Sequence, residues 1–79
     1  MEICVRYFAA FREATGIESE AFDTEAETIA ALFQECQARH PALEKFPASL
    51  AAVNDEMSDW DAAISGGDEV LFFPPVAGG

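Results

Sequence analysis

Apolar and polar side chains alternate from Glu2 to Phe8. Ile3, Val5 and Tyr7 face one way; Glu2, Cys4, Arg6 and Phe8 face the other. A period of two is the pattern of a half-buried strand. Phe11 to Gly16 reads as a short helical turn, with Gly16 free to take the left-handed stop position. Ile17–Phe22 reads as a second strand, giving a hairpin-like opening. One long helix follows. Thr24-x-x-Glu27 has capping-box spacing and Thr28 is a second N-cap candidate. Asp23, Glu25 and Glu27 suit the positive end of the helix dipole. Ile29, Leu32, Phe33 and Cys36 fall on one helical stripe, and Pro41 ends it. Residues 42–47 form a connection. Leu50–Val53 is a short strand, Asn54-Asp55 has turn chemistry, and Met57–Trp60 returns as an edge strand. After a Ser65-Gly66-Gly67-Asp68 turn, Glu69–Phe73 is the last strand, stopped by Pro74 and Pro75, which lack N–H groups.

The order strand, strand, helix, three short strands predicts an α+β domain over residues 1–79, a mixed sheet packed on one main helix. It is compatible with a β-grasp arrangement and with other small α+β folds. A chain of 79 residues supports one small core. At 51 % hydrophobic residues it folds without metal or disulfide staples.

Charge narrows the classes further. Four Lys+Arg against fifteen Asp+Glu give a formal net charge of −11. Phosphate-backbone binding needs clustered bases, so nucleic acid is excluded as a partner, and an anionic membrane surface is disfavoured. A basic protein partner is the natural complement. The acidic runs from Glu18 to Glu27 and from Asp55 to Asp61 read as solvated faces. Cys4, Cys36 and the single histidine, His40, have no metal-ligand spacing, and no bound cofactor or metal is expected. The thiols read as reduced, in a cytoplasmic protein. Glu2 and Arg6 interrupt any apolar leader.

The candidate chemistry lies at the C-terminus. The last ten residues, VLFFPPVAGG, carry no ionisable side chain. Two prolines stiffen the exit of the last strand, and residues 74–79 read as a flexible, extended tail reaching roughly 20 Å. Gly78-Gly79 removes side chains where a tail would enter a narrow channel. A carboxylate becomes an acyl donor once ATP activates it as an acyl-adenylate, so such a tail suits being another enzyme's substrate. Strand parity also places Phe8, Leu71 and Phe73, with Met57, opposite the core face, as a docking surface.

The stretch Gly67–Gly79 closely resembles the C-terminus of the small subunit of molybdopterin synthase, a family of ubiquitin-like sulfur carriers. Leu50-Ala51-Ala52-Val53-Asn54 and Tyr7-Phe8-Ala9-Ala10-Phe11-Arg12-Glu13 are similar to that family as well. The Phe-Phe-Pro-Pro-Val-x-Gly-Gly ending is the specific part; Ala77 stands where threonine is frequent. The resemblance implies a β-grasp fold. It also implies that a ubiquitin-activating-like adenylyltransferase adenylates Gly79 with ATP, and that sulfur transfer leaves 1-thioglycine there. Pro74, Pro75, Val76 and Ala77 would then follow the tail into the large, catalytic subunit, in a heterotetramer of two small and two large subunits. There the sulfur would go to cyclic pyranopterin monophosphate to build the molybdopterin dithiolene, with the acid–base groups on the partner and the carrier itself non-catalytic. Three other readings stay open: a thiamine-pathway sulfur carrier, a ubiquitin-like protein modifier, and an interaction module without tail chemistry.

Overall fold

Alternation along β1 (Glu2–Tyr7) buries Ile3, Val5 and Tyr7 and leaves the intervening side chains outside the core. The structure, a computed structural model, describes residues 1–45 and 50–73. The tail expected at 74–79 therefore lies outside the described residues. Beyond β1 the chain turns at Ala9, whose φ is 50°, into α1 (Ala10–Thr15). Gly16 closes α1 at φ 76°, a conformation that side chains with a Cβ rarely adopt, and its N–H donates to the Arg12 carbonyl at 2.9 Å. β2 (Ser19–Asp23) then runs back antiparallel to β1.

The long helix is α2 (Ile29–Arg39), capped by Thr28, whose Oγ1 accepts from the Ala31 N–H at 3.2 Å. Thr24 is not the cap. It is 3 % exposed, five residues ahead of the first helical residue, and its hydroxyl is committed elsewhere. Oγ1 donates to the Glu35 carboxylate, at 2.7 and 2.8 Å to its two oxygens, and accepts from the Ala26 N–H at 2.9 Å. A buried hydroxyl must be satisfied where it sits, and that need outweighs the local capping pattern. Of the expected stripe, Ile29, Leu32 and Cys36 are fully buried and Phe33 packs against the core as a partly buried side chain. The chain leaves α2 at His40 and Pro41 opens a 3-10 helix (Pro41–Lys45), so the proline starts an element as well as ending one.

β3 (Leu50–Val53) and β4 (Glu56–Ser58) form a two-residue hairpin. Asn54 and Asp55 take φ 50° and 71°, the left-handed pair that matches strand twist. β4 is shorter than the expected Met57–Trp60. Trp60 lies beyond it and packs inward, 5.3 Å from the Phe33 ring and 5.9 Å from Phe72. An indole gains more from that apolar cluster than from a solvated edge.

β5 (Glu69–Phe73) closes the sheet from the middle. It pairs parallel with β1 and antiparallel with β3, giving the order β2-β1-β5-β3-β4. The helix α2 covers one face of this mixed five-stranded sheet, over Ile3, Val5, Tyr7, Phe22, Val70 and Phe72. Each of these large buried side chains contributes roughly 1.5–3 kcal/mol. The other face, open among the described residues, carries Phe73 at the end of β5.

Candidate functional site

On the open face, register builds a continuous apolar strip. Ala52 of β3 lies between Met57 of β4 and Leu71 of β5, and Leu50 of β3 lies beside Phe73 of β5. Phe8, just past β1, stacks on Phe73 with ring centroids 4.9 Å apart and planes 12° from parallel. Phe8, Leu50 and Met57 are 36, 50 and 61 % exposed, and Phe73 is half-buried. Large apolar side chains gathered on one face mark an interaction surface.

Two expectations change here. Leu71 shares the face but is only 8 % exposed, because β5 is a central strand and Leu71 is flanked in register by Arg6 and Ala52. It forms the floor of the strip, not a contact standing out from it. Leu50 belongs to the strip and parity alone missed it; its pairing with Phe73 is a non-local fact. Arg6 borders the strip. Its guanidinium lies 3.7 Å from Glu69 and 4.0 Å from Glu18, two surface pairs of small energetic weight.

The strand that carries Phe73 is anchored at its other end. Asn54 Nδ2 donates to Asp68 at 3.0 Å, and its Oδ1 accepts from the Glu69 N–H at 3.0 Å. Asp68 in turn accepts from the Ser65 N–H at 2.8 Å. The turn at 65–68 and the hairpin turn at 54–55 thereby fix where β5 starts and hence where it points.

A second constellation lies on the helix side of β2. Tyr7 donates its hydroxyl to Glu20 Oε2 at 2.7 Å, His40 Nε2 meets the same oxygen at 2.7 Å, and Arg39 donates to Oε1 at 2.9 Å. Arg39 also covers the Phe22 ring at 3.9 Å, and the His40 ring meets Tyr7 edge-on. Glu20 is thus no solvated acid; its side chain is 13 % exposed. Burial works to raise its pKa, but the hydrogen bonds from Tyr7, Arg39 and His40 outweigh it and hold the carboxyl below its ordinary value. Burial raises the Tyr7 phenol well above its usual range, and pushes the Cys36 thiol up to about 12. Neither is ionised at neutral pH, so Cys36 acts as a packing residue and not as a nucleophile. No spacing in the sequence signals this network, whose members come from three separate elements.

Gly78, Gly79, Pro74, Pro75, Val76 and Ala77 lie outside the described residues. What the structure positions is their root, at Phe73, beside the apolar strip.

A mixed five-stranded sheet with α2 on one face and an apolar strip on the other defines a ubiquitin-like β-grasp domain. The ThiS family profile matches residues 5–79, and the chain belongs to that family. A molybdopterin synthase sulfur carrier subunit from Escherichia coli is 40 % identical, covering 98 % of this chain and 99 % of that protein. The human molybdopterin synthase sulfur carrier subunit is 34 % identical, over 99 % of this chain and 94 % of its own. Among solved structures, small archaeal modifier protein 1 from Haloferax volcanii superposes with a TM-score of 0.85 at 26 % identity. That match covers 95 % of this chain and 98 % of the other.

Proposed function

We propose that the chain is the sulfur carrier subunit of a molybdopterin synthase, acting in the cytoplasm. The observation that carries this reading is the full-length likeness to sulfur carrier subunits, 40 % identical to the one from Escherichia coli. In the chemistry we propose, the Gly79 carboxylate attacks the α-phosphorus of ATP on an activating adenylyltransferase, releasing pyrophosphate. A sulfur nucleophile then displaces AMP from the acyl-adenylate and leaves a thiocarboxylate. Inside the large subunit that sulfur attacks cyclic pyranopterin monophosphate, and water returns the tail to a carboxylate. A dithiolene needs two sulfurs and each tail brings one, so two loadings serve each product. The proposed assembly is two small and two large subunits.

In this scheme the chain supplies a thread, a docking face and the sulfur. Phe8, Phe73, Leu50 and Met57 dock the partners in turn, and Pro74 to Ala77, as the stem of the tail, contact the partner's channel. The carboxylate must be terminal and unhindered. Adding one residue after Gly79 should abolish sulfur loading while leaving the fold unchanged. Intact mass after incubation with ATP, sulfide and the activating enzyme reads the exchange of one oxygen for one sulfur. Normal loading of the extended chain would overturn the carrier reading.

One observation favours a second reading, attachment to other proteins through Gly79: the likeness to a small archaeal modifier protein. Lys45 is the chain's single lysine, so chains of this protein on itself would be restricted to one linkage. Recovery of Gly79 in isopeptide bonds to lysines of other proteins would establish that role.

A further inference from the structure

Among the described residues, strand β2 is an outer strand of the sheet, paired with β1 alone. The ladder between them alternates. Tyr7 N–H donates to the Glu18 carbonyl at 2.9 Å and Thr24 N–H to the Met1 carbonyl at 2.8 Å. In this register the residues at 18, 20, 22 and 24 turn their backbone groups toward β1, and Ser19, Ala21 and Asp23 turn theirs outward. Among the described residues nothing pairs with those outward N–H and C=O groups. Ser19, Ala21 and Asp23 are exposed, and two of the three have small side chains. The strand holds no proline, and its register with β1 runs without a bulge. Proteins usually blunt an edge of this kind with such devices.

The charges around the edge say what fits it. Glu18 and Asp23 stand at its two ends, both well exposed. Each has one loose surface partner, Arg6 at 4.0 Å from Glu18 and the Met1 ammonium at 3.5 Å from Asp23, and such exposed pairs leave most of each carboxylate to solvent or to an added strand. Glu25 follows, exposed. Glu20 is consumed by Tyr7, Arg39 and His40 on the helix side. A second copy would bring its own net charge of −11 to the same edge and is opposed.

We infer that the outer edge of β2 is a strand-addition site for an extended, basic segment of a partner protein. The added strand takes the backbone groups of Ser19, Ala21 and Asp23. Its lysines or arginines lie near Glu18 and Asp23, and larger apolar side chains rest over Ala21. β1 separates this edge from β5. A partner held here leaves the apolar strip and the root of the tail free, so the protein can be tethered at one edge while its tail is engaged elsewhere.

The test uses the full chain and a defined probe, the peptide Lys-Val-Lys-Val-Lys-Val-Lys, with its glutamate counterpart as control. Backbone amide shifts in nitrogen–proton spectra report the site. The expected result is shifts centred on Ser19, Ala21 and Asp23 with the basic peptide alone, weakened by salt through screening. Ala21→Pro removes an outward N–H and spares the ladder to β1, since edge strands accept proline at such positions. It should weaken binding about tenfold, with the amides of Glu20 and Phe22 still protected from exchange. Should that variant fail to fold, Glu18→Lys with Asp23→Lys supplies the second arm, weakening the basic peptide and admitting the acidic one. Shifts confined to Phe8, Leu50 and Phe73 would overturn the proposal. So would no binding at about 1 mM peptide, equal binding of both peptides, unchanged affinity in the lysine variant, or self-association through β2.

Discussion

Glu20 concentrates more of the polar energy of this small protein than its neighbours in the acidic run. Its carboxylate takes hydrogen bonds from Tyr7, Arg39 and His40, which join β1, β2 and the end of α2. Its folded-state pKa is depressed, so the stability it lends is present above the ordinary glutamate value near 4.3 and is lost as pH falls through the lower folded value. Glu20→Gln should therefore lower stability at neutral pH by about 1–3 kcal/mol. It should also flatten the acid limb of a plot of melting temperature against pH. An unchanged acid limb in the variant would assign that slope to the other carboxylates. Nothing in the spacing of Tyr7, Glu20 and His40 foretells their meeting. The sequence shows an acidic run, and only the pairing of β1 with β2 and the packing of α2 turn one member inward.

Element by element, the local signals were of unequal value. β3 and β5 keep the bounds read from alternation, because each is fenced by strong punctuation: the Asn54-Asp55 turn, the Ser65–Asp68 turn and the two prolines. The start of α2 was less legible. Thr24 and Thr28 both present capping chemistry, and the choice fell to burial, which commits the Thr24 hydroxyl to Glu35. Thr28→Ala should accordingly cost about 1 kcal/mol in denaturant unfolding, the ordinary worth of a threonine cap. Glu27→Ala should be nearly neutral, since the helix begins after it. Equal losses in the two variants would restore the capping box. Parity likewise placed Leu71 on the correct face and could not reveal its burial, which follows from β5 lying between β1 and β3. The Gly-Gly ending and the Phe-Phe-Pro-Pro motif, by contrast, are legible as written, since their chemistry is local.

At the scale of the whole molecule, the proposed function gives the apolar strip and the large negative charge different parts in recognition. Phe73→Ala should weaken binding to the activating enzyme and to the large subunit by about 2 kcal/mol or more, and destabilise the fold less, because the ring is half-exposed. Calorimetric titration beside thermal melting separates the two; unchanged affinity for both partners would remove the strip from the account. Residues 55–69 hold six acids and no base, and Arg6 offsets only Glu69 among them, at 3.7 Å, so the field over this stretch is negative. Against basic partner rims, association should slow as salt shortens the screening length from about 10 Å at 0.1 M to about 3 Å at 1 M, with dissociation changing less. Stopped-flow mixing across a salt series checks this, and a flat association rate would leave the acidity to solubility. The central position of β5 also bears on how the protein is made. The last of the described strands to leave the ribosome is the one that joins the β1–β2 pair to the β3–β4 pair. Until it emerges, the two hairpins have no common sheet and folding waits on contacts between the ends of the chain, a slow, non-local step. A translation product that stops short of Glu69 lacks the joining strand, stays unfolded and is open to proteases. Survival of the polypeptide is thus tied to completion of β5, the strand that precedes residues 74–79: molecules that persist are those whose synthesis ran past Glu69.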